Sequence, residues 1–401
     1  MFSFPFARRA ILATLVAAAL TARPALAQDA PKPATPGFDF SGVLYANFKM
    51  SMDSSSKAAN GGNATSKFDI ERVYLNFRMP AGDDGSIRVT TDVFNNTTAA
   101  TNGYYPGWTI RLKYAYFQYN YLHDIGGMKG FNATARFGML HTVEIDHEEQ
   151  FWPRWMSQTA IERSGFFSSA DAGVATLVTL PNKLGEVYAT VTNGPGYGTA
   201  ETDRFKDYAA RVSLTPFGGD DGFLKTFTVT PWIYQGLTAS KFQNGGTGQL
   251  GPVSDGLSRN RLGIFVGIKD RRLTAGLDYA TATATAETGA NTSASPRGTY
   301  DNTQTLTAAF AIVRPFEIAE PKEKSPLSFF FRMDNLKPYS DARSATGGQT
   351  TSSAQQQLIY GVMWDLNQKT SISLDWQTLS RQSGSTVPEQ NLLFLHLVTN
   401  F

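Results

Sequence analysis

Strict alternation of apolar and polar residues is the feature of this sequence that most constrains its fold. In the stretch 38–52, apolar residues such as Phe40, Leu44 and Phe48 fall at even-numbered positions. Polar residues such as Lys49 fall at the odd-numbered positions between them. This period-two pattern predicts a β-strand with one apolar face and one polar face. The pattern recurs along the chain, and no helical period of convincing length follows the N-terminal segment. We therefore predict an all-β protein.

Turn-forming residues divide the chain into about sixteen predicted strands. The connections after even-numbered strands are mostly short, as at Asp270-Arg271, whereas those after odd-numbered strands are mostly long. This arrangement is typical of bacterial outer-membrane barrels. We place the strands at 38–52, 67–79, 86–95, 108–120, 130–140, 172–180, 186–193, 205–216, 225–236, 258–269, 272–285, 302–314, 326–337, 353–366, 370–380 and 390–401.

The end of the chain favours a membrane barrel over a soluble periplasmic β-sandwich, which would also alternate its faces. Leu393, Leu395 and Leu397 alternate with other residues, and the chain ends on Phe401, as in the sorting signal of outer-membrane barrels. Charged residues make up only 17% of the sequence, below the roughly 25% of soluble domains. We predict that residues 38–401 form a transmembrane antiparallel β-barrel whose third long loop folds inward.

The N-terminal residues 1–27 have the pattern of a secretory signal peptide. Arg8 and Arg9 precede an apolar stretch that is too short to span a bilayer as a helix, and Ala25-Leu26-Ala27 is a small-residue cleavage site. Residues 28–37, rich in proline, are predicted to be a short periplasmic linker. Cleavage lowers Lys plus Arg from 36 to 33 against 34 Asp plus Glu, so we expect no nucleic-acid partner.

The predicted interior face carries an uneven distribution of charge. The first five strands supply seven basic side chains, and Asp39 and Asp92 are their acidic counterparts. Later strands mix both signs, so the opposite wall should be closer to neutral. Cations along a narrow lumen raise the local anion concentration, although such charges can also serve only to solvate a wet lumen. We call these seven residues the basic wall: Lys49, Arg72, Arg78, Arg88, Arg111, Lys113 and Arg136.

The longest gap between predicted strands, 141–171, is predicted to be a constriction loop. It contains five large aromatic residues, so it should pack against the inner wall and narrow the pore, and loops of this length are usually functional. Its acidic cluster should face the basic wall and create a transverse field; alternatively, the carboxylates only neutralise wall arginines in a rigid plug. The charged and titratable residues of interest are His141, Glu144, Asp146, His147, Glu148, Glu149 and Arg154.

Chemical catalysis is a minor alternative. Asp146 next to His147 could act as a general base in an outer-membrane barrel hydrolase. The spacing of His141, Glu144 and His147 does not fit the usual zinc motifs, and the absence of cysteine excludes thiolate sites. We predict no catalytic residue, metal or cofactor.

Five stretches in the first half of the chain resemble the phosphate-selective porins, the porin O and P family. They are FDIERVYLNFRMP (68–80), LKYAYFQYN (112–120), ARFGML (135–140), AIERSGF (160–166) and VTNGPG (191–196). The resemblance implies a sixteen-stranded, typically trimeric outer-membrane porin whose wall cations and constriction loop pass anions. The acidic loop departs from the lysine-rich constriction of the phosphate-selective members. We therefore expect passive diffusion of small hydrophilic solutes with a weak anion preference, with a phosphate-specific channel as the alternative.

Overall fold

The computed structural model describes residues 37–96, 107–201, 203–240, 256–289, 292–295, 297–321, 323–338, 354–381 and 389–401. The predicted signal peptide and residues 28–36 of the predicted linker lie outside these ranges.

Sixteen strands account for most of the described chain, and each overlaps one of the predicted strands. They are β1 (Asp39–Ser51), β2 (Thr65–Pro80), β3 (Gly85–Asn96), β4 (Gly107–Leu122), β5 (Asn132–His141), β6 (Ala170–Thr179), β7 (Gly185–Thr192), β8 (Asp207–Leu214), β9 (Thr228–Ala239), β10 (Gly256–Lys269), β11 (Leu273–Thr288), β12 (Gly298–Val313), β13 (Leu327–Lys337), β14 (Gln355–Asp365), β15 (Thr370–Arg381) and β16 (Gln390–Asn400).

The described chain also contains four short α-helices. They are α1 (Ser54–Ala59), α2 (Ile145–Glu148), α3 (Ala160–Arg163) and α4 (Pro315–Ala319). Asp53 caps α1 by accepting a hydrogen bond from the Ser56 amide at 2.8 Å. No helix in the described ranges has the length and apolar character needed to cross a bilayer.

The sheet closes on itself. Each strand pairs with its neighbours in sequence, and β1 pairs antiparallel with β16 from Val43 opposite Asn400 to Ser51 opposite Leu392. The Gly42 amide donates to the Phe401 carbonyl at 2.8 Å, and the reverse hydrogen bond measures 2.9 Å. A Cβ at Gly42 would lie 2.3 Å from the Phe401 ring, so only glycine admits the terminal aromatic side chain there. The predicted sixteen-stranded antiparallel barrel is confirmed.

The outer surface of the barrel is apolar. Ile110 is 67% exposed, and Leu262 and Leu277 are also exposed on the outer surface. Side chains at alternate positions point inward, so Trp232, next to the exposed Ile233, is only 2% exposed. Because closure leaves no sheet edge unpaired, this surface can face hydrocarbon without unsatisfied backbone groups.

The interior is polar along one wall but contains an apolar cluster on the other. Phe265, Phe310, Phe330 and Ile359 point inward from β10, β12, β13 and β14, so this part of the inner face is apolar. They are buried because a folded loop covers them from the inside. A Cβ at Gly276 would lie 2.5 Å from the Phe310 ring, so this glycine makes room for the cluster.

Candidate functional site

The connection between β5 and β6, residues 142–169, folds into the barrel and fills part of its interior. It contains α2 and α3 and contributes the fully buried Val143, Ile145, Trp152 and Ile161. This is the constriction loop, and its predicted inward fold is confirmed. His141, which was predicted to belong to it, is instead the last residue of β5.

Aromatic side chains hold the constriction loop against the inner wall of β10 to β14. The Trp152 ring lies 5.3 Å from that of Phe310 and 6.3 Å from that of Phe330, and Phe151 lies 5.1 Å from Phe265. Edge-to-face and tilted pairs at these separations contribute about 0.5–1.5 kcal/mol each beyond the area they bury. The loop therefore rests on a packed apolar base.

Hydrogen bonds from wall side chains to loop carbonyls fix the position of the constriction loop. Arg332 donates to the Gln158 carbonyl at 2.7 Å, while Asp334 holds the Arg332 guanidinium at 2.8 Å. Because irregular backbone inside a barrel needs partners, these donors stabilise the loop. Three further contacts are Gln377 to the Met156 carbonyl at 3.1 Å, Gln304 to the Ser164 carbonyl at 2.8 Å, and Arg163 to Asp334 at 3.1 Å.

His147 belongs to this anchoring system. Its Nδ1 accepts from Arg211 at 3.1 Å, so its Nε2–H donates to the Thr230 hydroxyl at 2.9 Å. Burial and the adjacent Arg211 lower the pKa of His147 to about 3, which keeps the ring neutral. Asp146 lies instead 3.4 Å from Nδ1 of His141. The acid–histidine arrangement of a hydrolase is therefore not formed between Asp146 and His147.

The acidic cluster of the constriction loop is split between its two faces. Glu144 is 0% and Glu148 1% exposed, and both lie on the side of Arg211 and Arg332, away from the basic wall. The prediction that the whole cluster faces the basic wall is therefore wrong for these two residues. Asp146 and Glu149 keep 29% and 23% of their side chains exposed.

Burial disfavours the charged form of both buried glutamates. Neither oxygen of Glu144 has a hydrogen-bond partner among the described residues. Burial raises the pKa of Glu144 well above its usual range, with Arg211 opposing, and burial raises that of Glu148 to about 7. An uncompensated carboxylate at this depth is costly, so protonation relieves the cost.

A Glu144→Gln variant is expected to be more stable than the parent at alkaline pH. An unfolded glutamate releases its proton near pH 4.5, whereas the packed loop retains it. The free energy of unfolding therefore falls as pH rises above that value. It falls by about 1.4 kcal/mol per pH unit for each such glutamate, until the pH reaches the pKa of that glutamate in the folded protein. Thermal midpoints in detergent measured across pH test this. Glu323→Gln, on an exposed residue, is the control, and equal pH slopes in the parent and the Glu144 variant would contradict the assignment.

Two members of the basic wall share one carboxylate. Arg72 and Arg111 each lie 2.9 Å from the same oxygen of the fully buried Asp92. Both guanidinium groups also lie over the ring of Phe94, at 5.4 and 4.1 Å from its centroid. This cluster thus carries one net positive charge.

The other basic-wall residues have no ion pair with a carboxylate among the described residues. Arg88 donates to His141 Nε2 at 2.9 Å, and Arg136 donates to Gln118 at 2.9 Å. Lys113 lies 4.3 Å from the centre of the Tyr74 ring. The remaining two are Lys49, 5.8 Å from the centre of the Phe394 ring, and Arg78, which lines the cavity described next.

Two cavities open on either side of the constriction loop. The short-turn vestibule, of about 780 Å³, lies near the β2–β3 turn and is lined by Arg78, Arg88, Arg136, His141 and Asp146, among others. The long-loop vestibule, of about 390 Å³, is lined by residues that include Lys49, Glu71, Arg72, Arg154 and Phe394. Arg154 is buried within the loop, 2.6 Å from Glu149 and 2.9 Å from Glu162.

Part of a second connection, residues 193–201, also reaches the basic wall, and the sequence analysis did not identify it. Arg111 donates to the Tyr197 hydroxyl at 2.6 Å and lies 4.3 Å from the centre of its ring. The only sequence signal was a tyrosine in a glycine-rich turn, which indicates a loop but not its direction. Tyr197 narrows the same passage as the constriction loop.

Several solved outer-membrane proteins share this architecture. The fold is that of the outer-membrane porins. An anion-selective porin from Comamonas acidovorans superposes with a TM-score of 0.55 at 10% identity, covering 91% of this chain and 99% of that one. The outer-membrane channel DcaP of Acinetobacter baumannii gives 0.59 at 10%, covering 91% and 97%. OmpT of Vibrio cholerae, in its trimer form, gives 0.54 at 9%, covering 91% and 99%.

Neither a protein-family model nor a curated protein matches the sequence. At about 10% identity the porin likeness establishes the fold of the chain and leaves its solute to be argued from the site. No group of three or more histidine, aspartate or glutamate side chains in the described ranges is arranged to hold a metal ion.

Proposed function

We propose that this chain is an outer-membrane porin through which small hydrophilic solutes and ions diffuse passively, with a weak preference for anions. The observation that carries the proposal is the uneven charge of the narrowed interior. Arg88 and Arg136 have no carboxylate ion pair in the described chain, while Glu144 and Glu148 are buried within the constriction loop. Positive charge lining a narrow lumen raises the local anion concentration.

An outer-membrane location fits the surface of the barrel. Its exterior is apolar, and closure leaves no backbone edge for lipid to desolvate. Removal of residues 1–27 as a signal peptide and export through the periplasm belong to the same proposal. We also propose a homotrimer, because the sequence resembles a typically trimeric family and a porin-fold neighbour was solved in a trimer form.

A phosphate-specific channel is the second candidate function. Arg88 and Arg136 present forked donors of the kind that bind phosphate oxygens, and the sequence resembles the phosphate-selective porins. Against this, Asp146 lines the same short-turn vestibule, and its carboxylate would repel a dianion. We therefore place the general, weakly anion-preferring porin first.

Planar-bilayer recording on the purified protein tests both candidates. We expect stepwise conductance increments in symmetrical KCl that are not blocked by millimolar phosphate, because the uncompensated cations are spread along the wall. Saturable block by phosphate, with sulfate at equal concentration as the control, would favour the specific channel. A protein that inserts as a folded barrel but never conducts would refute the porin proposal.

A further inference from the structure

The long-loop vestibule combines groups of both charges with amides and an aromatic ring. Lys49 and Glu71 line it from the side of β1 and β2, Gln357 from β14, and Phe394 from β16. Its volume of about 390 Å³ falls within the 300–1,000 Å³ typical of small-molecule sites.

Most charged side chains that line this vestibule already form ion pairs. Arg72 pairs with Asp92 at 2.9 Å and Arg163 with Asp334 at 3.1 Å. The Asp69 carboxylate, also on the lining, pairs with Lys67. These pairs leave little charge free to bind a solute.

Lys49 and Glu71 are the exceptions among the described lining residues, because neither has an oppositely charged group within ion-pair distance. Glu71 accepts one long hydrogen bond, from Asn47 Nδ2 at 3.4 Å. The Lys49 ammonium faces the Phe394 ring at 5.8 Å. The vestibule therefore presents one free carboxylate and one free ammonium.

A bulge directs Glu71 toward the vestibule. Tyr45 pairs with Arg72 and Ala46 with Ile70, so Glu71 is the extra residue of β2 at this point. Both Glu71 and Arg72 line the cavity, whereas regular alternation would turn one of them outward. Bulges of this kind re-aim side chains and are frequent beside functional sites.

Unused hydrogen-bond acceptors accompany the Glu71 carboxylate. The side-chain oxygens of Asn47 and Gln357 are buried, line the same cavity and have no hydrogen-bond partner among the described residues. Buried polar atoms are normally satisfied. An amine in its –NH3⁺ form carries three donors and no acceptor, which matches a set of three acceptors that includes a carboxylate.

We propose that the long-loop vestibule binds zwitterionic solutes of the amino-acid type, with the solute ammonium at Glu71, Asn47 and Gln357 and the solute carboxylate at Lys49. An anion without an ammonium group is attracted by Lys49 but repelled by Glu71. A cation without a carboxylate is attracted by Glu71 but repelled by Lys49. Only a solute that carries both charges satisfies both ends. This inference rests on the proposed porin function, because the vestibule lies on a permeation path only if the barrel conducts.

Current block by L-alanine added to the long-loop side tests this inference, with propionate and ethylammonium as the singly charged halves of the same molecule. L-alanine should interrupt the current at concentrations at which neither half does. Glu71→Gln and Lys49→Gln should each weaken the block by about tenfold, the effect of losing one charge-assisted contact. The controls Lys57→Gln and Glu320→Gln alter exposed residues outside the vestibule and should leave the block at the parent level.

Saturation-transfer NMR on the detergent-solubilised protein measures binding without requiring conduction. Alanine binding that disappears in Glu71→Gln supports the inference even if the protein fails to conduct, in which case the porin proposal alone falls. A conducting channel without alanine binding overturns the inference and leaves the porin proposal standing. Equal block by propionate and alanine, or undiminished block in a Glu71→Gln/Lys49→Gln double variant, also overturns it.

Discussion

Replacing Arg88, Arg111 and Arg136 together by glutamine is expected to lower the ratio of chloride to potassium permeability roughly tenfold. One charge acts on an ion 10 Å away in water with about 0.4 kcal/mol, so the loss of three charges changes the energies of chloride and potassium by about 1.2 kcal/mol each, in opposite directions. Screening at low salt roughly halves the combined change of about 2.4 kcal/mol, which leaves roughly a tenfold effect on the ratio. Arg88 and Arg136 form no ion pair with a carboxylate in the described chain, and removal of Arg111 leaves Asp92 with Arg72 alone. Reversal potentials in a KCl gradient measure the ratio.

The matched control replaces the same three arginines by lysine, which keeps the charge and loses the forked donors. We expect this variant to retain the anion preference of the parent. If the glutamine variant keeps the parental ratio, the basic wall only solvates the lumen, and the charge-based part of the proposed function is wrong.

Trp152→Ala is expected to raise the single-channel conductance several-fold and to make it heterogeneous. Trp152 is fully buried between the constriction loop and the wall, against Phe310 and Phe330. Truncation of a buried tryptophan costs about 3–5 kcal/mol, and here the loss falls on the ring contacts that hold the constriction loop against the wall. The loop should therefore leave its packed position for part of the time and widen the passage.

Trp364→Ala is the control for this effect, because Trp364 lies on the outward face of β14, away from the constriction loop. Its conductance should equal that of the parent protein. A Trp152→Ala channel with parental conductance and parental thermal stability would show that the loop does not set the width of the pore.

The strands and their faces could be predicted from sequence because period two is a local property. Ile264 and Val266 alternate with inward positions as the pattern requires, and the terminal Phe401 favoured a membrane barrel over a soluble sandwich. The apolar residues that point inward, such as Phe265 and Phe310, could not be separated from lipid-facing ones by their chemistry. Their environment is set by the constriction loop, which is distant in sequence.

The split of the acidic cluster depends on a helix too short to leave a periodic signal. Along α2 and its two cap residues, Glu144 and Glu148 are four residues apart and share one face, whereas Asp146 and Glu149 are three apart and share another. Four residues cannot show this period in the sequence. In the same way, the bulge at Glu71 is invisible until the register of β1 and β2 is known, so only the three-dimensional structure directs this side chain into the vestibule.

The central claim is that a barrel narrowed by its own third long loop conducts ions and favours anions through cations left unpaired on one wall. The zero-current potential of the parent protein in a planar bilayer under a KCl gradient tests it most directly. The account predicts a conducting channel whose potential has the sign of chloride preference and moves toward zero as the salt on both sides is raised, because screening weakens the field of the wall. A potential of the potassium-selective sign, or a folded barrel that passes no current, would contradict it.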